Sequence, residues 1–578
     1  MITIVRDYVS DMKIVIAKNA IPSEKYAAEE LRRWLFASTG TALPIIDDEG
    51  NYESKEFILG ENKHSRQAGV SITNANLGAD GYVLRTVGDS IAIVGGKPRG
   101  TLYGVYAFLE DYLGIRWFAQ DCTHVPKRCC LSVGDIDERY KPRLNFREAN
   151  YSDAFTDPDF TARLRMNGSL CNATEKHGGR IKYAQPWVHT FFYFCKPEDY
   201  FAEHPEYFSY YDGERHDGHT QFCLTNDGLF EVVLTKLRKW IEENPDCTVF
   251  SISQNDWFNR CQCEKCSAIE EEEGSPMGPL LRFINRIAEA IEPEFPNIFI
   301  DTLAYRYTRK PPKLTKPRKN VIIRLCSFEC CFYHDLGNDS CETNSAFKED
   351  TKGWGKICDN VFVWDYVVNF PHIVMPFSNL FSLRENVRYF IDNGVKNLFE
   401  ETCWYENAEF EPLKTYLLGR FMWNPDSDVD LSINEFLAAY YKTAAPFIRR
   451  YIDLLYKRYA DIPNYHCGIY TLPTPEVFTD QLLTDAEEMF DKAYKAADDS
   501  IIRHRVEIAA MQVKYLRLYF TEWNSEGYAE KVDRFFTEAD RLGVRHVHSW
   551  NDNEIGKKRF LNNQYNTVHP PTGDPSLL

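Results

Sequence analysis

Acids and aromatic residues close several extended apolar runs in the middle of this sequence. Residues 248–256 end in Asn255 and Asp256 followed by Trp257, residues 298–305 carry Asp301 and Tyr305, and residues 321–329 end in Glu329. Residues 361–366 end in Trp364, Asp365 and Tyr366, and residues 397–401 end in Glu400 and Glu401, with Trp404 just beyond. Carboxyl groups interleaved with Trp and Tyr are suited to breaking a glycosidic bond. A protonated carboxyl donates to the departing oxygen, a second carboxylate stabilises or attacks the anomeric carbon, and aromatic faces hold the sugar ring. Asp256, Glu329, Asp365 and Glu401 are therefore the candidate catalytic acids. Glu400 and Glu401 are adjacent in an extended segment and face opposite sides, so only one can point inward, and Glu401 is favoured.

Asn255 beside Asp256 could orient a 2-acetamido group while the acid protonates the leaving group; the alternative is that Asn255 caps the next loop. Candidate substrate contacts are His189, Asn255, Asp301, Tyr305, Trp364 and Trp404. His189, in QPWVHTFFYF, can equally be a satisfied core histidine. Arg147 can form a buried ion pair with Glu148 or touch substrate. Cys261, Cys263 and Cys266, in RCQCEKCSA, can hold a structural zinc if a distant Cys or His supplies a fourth ligand. The alternative is reduced thiols packing that loop. No cofactor is expected for the chemistry itself.

The elements that must position these residues read as a barrel. Eight short apolar runs, 144–151, 169–172, 221–226, 248–256, 298–305, 321–329, 361–366 and 397–401, alternate with helical patterns, notably 229–243, 277–292 and 379–393. That order predicts a (β/α)8 barrel, whose chemistry gathers at the C-terminal ends of its strands. Ahead of it, residues 1–139 mix the runs KIVIA, EFILG, YVLRTV and SIAIVGG with amphipathic stretches at 23–36 and 101–113, a small α/β domain. Gly95, Gly96 and Gly100 sit where a phosphate loop could lie, but their spacing matches no nucleotide fingerprint and favours a tight strand-to-helix turn. The barrel is expected over 140–425, with a mainly helical region over 426–578 that ends in a polar tail at 568–578.

The 67 basic residues are outnumbered by 85 acidic ones, a net charge of −18 that argues against nucleic acid and anionic membranes as partners. No run of about 20 apolar residues could span a bilayer. The first residues lack the pattern of a signal peptide, and the 17 cysteines have no disulfide-scaffold spacing, so a cytoplasmic location is expected. The partner implied is an oligosaccharide; the sequence leaves the oligomeric state open.

The stretch GGKPRGTLYGVYAFLEDYLGIRWFAQD resembles the small domain that precedes the barrel in glycoside hydrolase families 20 and 67, the β-hexosaminidases and α-glucuronidases. The segments PWVHTFF, HPEYFSYYDG, FCLTND, SISQNDWFNRCQCEKC, DTLAYRYTRKPP, RLCSFECCFYHDL, VWDYVVNF and LLGRFMWNPDSDV resemble a group first described as a domain of unknown function, which includes glycoside hydrolase family 163. The resemblance covers about residues 101–430. It implies a retaining endo-β-N-acetylglucosaminidase acting on complex N-glycans with acetamido assistance, Asp256 or Glu329 being the general acid and base. Asn255 and Asp365 would then position the acetamido group. An exo-acting enzyme of another sugar, β-hexosaminidase-like or α-glucuronidase-like, is the alternative, and a uronate would need a cation such as Arg147 or Arg306. A carbohydrate-binding protein without catalysis is the third reading.

Overall fold

The computed structural model describes residues 1–73 and 75–565 of the 578. The chain opens with an α/β domain. Strands Lys13–Ile16, Glu56–Leu59, Tyr82–Val87 and Ser90–Gly95 coincide with the four apolar runs and form a six-stranded sheet with Ile45–Asp47 and Asp137–Tyr140. Helix Pro22–Thr39 starts where Pro22 supplies the fixed φ of a first turn and the Glu24 carboxylate accepts the Ile21 N–H at 3.2 Å. It stops at Gly40, whose φ of 73° ends the helix in the left-handed region. The glycines before helix Gly100–Asp111 serve close packing: a Cβ on Gly95 would lie 2.0 Å from the Gly100 carbonyl carbon, and one on Gly96 would lie 1.8 Å from the Gly78 oxygen. Both positions require backbone-to-backbone approach.

Six parallel strands form the central sheet, in spatial order Phe146–Ala149, Val395–Glu401, Val361–Tyr366, Val321–Cys326, Phe299–Ala304 and Val249–Ser251. Every residue of Val321–Cys326 and Val361–Tyr366 is buried, because helices cover the outside while side chains fill the inside. The second and third places of the barrel are taken by irregular backbone at 166–171 and 181–184. Asn167 N–H donates to the Arg147 carbonyl at 3.1 Å, Ile181 N–H to the Asn167 carbonyl at 2.9 Å, and Ala184 N–H to the Val249 carbonyl at 3.0 Å, which carries the circuit from the first strand to the fourth. Side chains replace part of the missing ladder: the Glu148 carboxyl accepts the N–H of Leu170. Burial pushes Glu148 up to about 8.

Six of the eight expected strands are thus present, in the expected order and direction, and irregular segments take the second and third places. The expected run 169–172 overlaps the irregular second segment and forms no strand. Residues 221–226 are not the third: Phe222 makes only an antiparallel bridge to Phe208, inside a long excursion from the C-terminal face. Helix Asp227–Glu243 follows, capped by the Asn226 side chain, which accepts the Leu229 N–H at 2.9 Å.

Beyond the barrel the chain forms helices Val429–Tyr441, Ala445–Ala460, Asp480–Ala496, Ser500–Tyr519 and Tyr528–Arg541. Helix Asn553–Leu561 extends this region past the expected helical limit near Leu542. The expected polar tail lies outside the described residues. No described helix is long and apolar enough to cross a membrane.

Candidate active site

A cavity of about 260 Å³ opens at the C-terminal end of the barrel. Asp256, just after strand Val249–Ser251, and Glu401, the last residue of Val395–Glu401, both line it. Tyr305 and Arg306 enter from the end of Phe299–Ala304, Trp364 and Tyr366 from Val361–Tyr366, and His189 from the long excursion. Tyr470 and Trp550 reach the same cavity from connections within the helical region, so that region builds one wall of the site.

Side-chain alternation sorts the strand-end acids. Along Val361–Tyr366, Trp364 and Tyr366 point into the barrel and Asp365 points out; on the neighbouring strand Glu401 points in and Glu400 out. Asp365 and Glu400 are register partners behind the wall. Burial pushes Asp365 up to about 6, against a hydrogen bond donated by the Ser327 hydroxyl, and raises Glu400 well above the ordinary carboxyl range, with Asp365 adding to the rise. Neither lines the cavity.

Glu401 accepts the Trp364 indole N–H on Oε2 at 2.7 Å. Burial pushes its carboxyl up to about 7; the Trp364 hydrogen bond opposes the rise and the Asp256 charge adds to it. The Asp256 side chain is about one-third exposed, at 36%. It accepts the Tyr305 hydroxyl on Oδ1 at 3.1 Å, and Arg306 Nε lies 3.8 Å from the same oxygen. The Arg306 guanidinium is sandwiched among Phe258, Tyr305 and Phe328, with centroids 5.0, 5.1 and 4.8 Å away. Its Nε is buried without a hydrogen-bond partner among the described residues. His189 Nδ1 lies 2.8 Å from the Gln254 carbonyl and therefore carries the proton. Burial holds His189 below the ordinary histidine range, while the Asp256 charge pulls the other way. His189 and Arg306 both hold φ near 53°, a left-handed conformation that is uncommon for residues other than glycine.

The remaining candidates lie elsewhere. Asp301 is fully buried one layer below the cavity, 2.9 Å from Arg324 Nη2. Glu329 is half exposed and paired with Arg309 Nη1 at 2.7 Å. Asn255 donates to the Thr220 carbonyl at 3.0 Å and fastens the neighbouring loop. Trp404 packs edge-on against Phe155, outside the cavity lining. Arg147 binds Asp80 of the first domain at 2.7 Å, so it joins the domains. Cys261, Cys263 and Cys266 come together as expected, and Cys223 joins them. Tyr470 and Trp550 escaped the sequence reading, since lone aromatics in a helical region carry no positional signal.

A parallel barrel with acids and aromatics at its C-terminal mouth, an α/β domain before it and helices after it, is an architecture shared with glycoside hydrolases. The chain belongs to the family described as a domain of unknown function, DUF4838, which matches residues 117–453. Residues 5–108 match the glycosyl hydrolase family 67 N-terminus. A probable α-glucuronidase A of Aspergillus oryzae is 27% identical over 158 residues, 25% of this chain and 19% of that protein's length. Among solved structures, a family GH115 4-O-methyl-α-glucuronidase with specificity for decorated arabinogalactans superposes with a TM-score of 0.58 at 14% identity, covering 99% of this chain and 82% of that one. A Clostridium perfringens family 89 enzyme, solved with GlcNAc-α-1,4-galactose, gives a TM-score of 0.50 at 11% identity over 94% of this chain and 69% of that one. These two share the fold.

Proposed function

We propose that the protein is a glycoside hydrolase in which Glu401 is the proton donor and Asp256 the opposing carboxylate. The observation that carries this is the meeting of the two acids in one aromatic-walled cavity, with burial pushing Glu401 up to about 7. A carboxyl with that value is about half protonated at neutral pH, so it can give a proton to a departing glycosidic oxygen. The Trp364 N–H holds Oε2 and leaves Oε1 to face the leaving group. Asp256, oriented by the Tyr305 hydroxyl, faces the anomeric carbon and either attacks it or activates a water. Trp364, Tyr366, Tyr470 and Trp550 supply the flat faces on which a sugar ring rests.

The substrate reading we favour is an α-linked uronide. Arg306 places a desolvated cation in the cavity, its Nε without a hydrogen-bond partner among the described residues and 3.8 Å from Asp256 Oδ1, suited to a sugar carboxylate. The family 67 N-terminal match and the relative named as a probable α-glucuronidase support the same substrate class. The endo-β-N-acetylglucosaminidase reading rests on the motif resemblance. It would have to hold the acetamido group without Asn255 and Asp365, which turn away from the cavity. Mass spectrometry of α-glucuronide-capped oligosaccharides and of complex N-glycans, each incubated with the protein, separates the two. Release of free uronic acid supports the first and cleavage within the glycan core the second. Arg306→Met should lower kcat/KM on the uronide about 100-fold while sparing neutral glycosides, the loss expected for a charge-assisted contact. Equal loss on both would reject a carboxylate-binding role for Arg306.

A further inference from the structure

Two clusters of soft ligands lie outside the cavity lining. The first joins three stretches of chain: Cys331 and His334 in the turn after strand Val321–Cys326, Cys341 at the start of helix Glu342–Ile357, and His466 between helices Ala445–Ala460 and Asp480–Ala496. One donor atom from each lies within 4.8 Å of the other three. Cys331 Sγ is 3.5 Å from His334 Nδ1, Cys341 Sγ is 3.9 Å from His466 Nδ1, and the two imidazole rings are 5.2 Å apart. Zinc bound tetrahedrally by sulfur at ~2.3 Å and nitrogen at ~2.0 Å separates such atoms by about 3.5 Å. Apolar packing does not account for the gathering, because His466 is exposed.

We propose that Cys331, His334, Cys341 and His466 bind a structural zinc ion that clamps the helical region to the barrel. Four protein ligands leave no open position, so the ion holds structure and performs no chemistry. Binding converts two thiols to thiolates and releases their two protons to solvent. The clamp sits beside the candidate active site. Phe332 N–H donates to the Cys467 carbonyl at 2.7 Å, Phe370 N–H donates to the Ile469 carbonyl at 2.9 Å, and the next residue, Tyr470, lines the cavity. The ion therefore fixes the wall that the helical region contributes.

Independent geometry assigns a second zinc to Cys223, Cys261, Cys263 and Cys266. The Cys223 sulfur lies 3.7 Å from that of Cys263 and 4.0 Å from that of Cys266, against about 3.8 Å for the edge of a ZnS4 tetrahedron with ~2.3 Å bonds. The Tyr210 N–H and Arg215 Nη1 point at the Cys261 sulfur, at 3.4 and 3.6 Å, and supply the positive surroundings a thiolate cluster needs. This ion ties the loop that begins at Asp256 to the segment before helix Asp227–Glu243.

Elemental analysis of the full chain, purified from zinc-supplemented cells without chelator, tests both assignments. Wild type should carry two zinc equivalents, His466→Ala one, Cys263→Ser/Cys266→Ser one, and the combined variant none. His466 is at the surface, so its loss leaves the core intact; Cys341→Ser should match it, and His466→Cys should keep the metal. Cobalt substitution gives a second reading, because His466→Ala should remove the sulfur-to-cobalt absorption of a two-thiolate site and the cysteine double variant that of a four-thiolate site. Two equivalents retained in His466→Ala would overturn the first site, as would a Cys331–Cys341 disulfide in the intact mass. Two retained in the cysteine double variant would overturn the second. Under half an equivalent in wild type would overturn both.

Discussion

The indole N–H of Trp364 reaches the Glu401 carboxylate diagonally across two neighbouring strands, at 2.7 Å, since the register sets Trp364 opposite Phe399 and Tyr366 opposite Glu401. A hydrogen bond donated to a carboxylate favours its ionised form, so this contact restrains the rise that burial imposes on Glu401. A proton donor works while protonated, so hydrolysis should hold below about pH 7 and fall as the pH climbs above it. Trp364→Phe removes the N–H and keeps an aromatic face. The basic limb of kcat should then move up by about one to two pH units, as a hydrogen bond to a charged group is worth roughly 1.5–3 kcal/mol. An unmoved limb in the pH–rate profile would remove Glu401 from the donor role.

Asp301 and Arg324 form a fully buried ion pair inside the barrel. The Arg324 guanidinium also lies 4.9 Å from the ring centroids of both Tyr183 and Trp187. Arg324→Met would strand the Asp301 carboxylate and should lower stability by about 3–5 kcal/mol, whereas replacing both residues with apolar ones should cost less. Urea unfolding of the single and double variants checks this; equal losses would mean that the pair is not coupled.

His372 ties a barrel loop to the helical region through Nδ1, 2.6 Å from the Tyr515 hydroxyl, and its Nε2 is buried without a partner among the described residues. Burial, with repulsion from His548, pushes His372 down to about 3 from an ordinary value of 6.5. The unfolded chain therefore takes up this proton first on acidification. The stability His372 contributes is fully present above about pH 6.5 and is lost as the pH falls toward 3. Between pH 6.5 and 4.5 wild type should lose about 2–3 kcal/mol more than His372→Gln, at ~1.4 kcal/mol per pH unit. Equal losses in urea titrations at the two pH values would show that His372 does not govern acid sensitivity.

The sequence revealed most of the barrel, because strands covered on both faces are continuous apolar runs and the six regular ones were all visible. The second and third positions were not, since there the backbone is irregular and held partly by the Glu148 side chain, which leaves no periodicity to read. Strand ends led to the C-terminal mouth of the barrel, where the cavity lies. Alternation separated Glu401 from Glu400, and the same rule also takes Asp365 out of the cavity beside Trp364. Asp301 lies too deep in its strand to reach the mouth. The walls supplied by Tyr470 and Trp550, and the meeting of Cys223 with Cys261 or of His466 with Cys341, depend on contacts between distant stretches that one-dimensional spacing does not encode.

The most direct test of the central claim separates the two carboxylates by their dependence on the leaving group. Glu401→Gln and Asp256→Asn should each lower turnover of an unactivated oligosaccharide by about 10²–10⁴-fold. On an aryl glycoside of the same sugar whose dinitrophenolate departs without a proton, Glu401→Gln should recover close to wild-type bond cleavage while Asp256→Asn stays impaired. Equal loss by Glu401→Gln on both substrates, or full oligosaccharide turnover by either variant, would contradict the assignment of Glu401 as proton donor opposite Asp256.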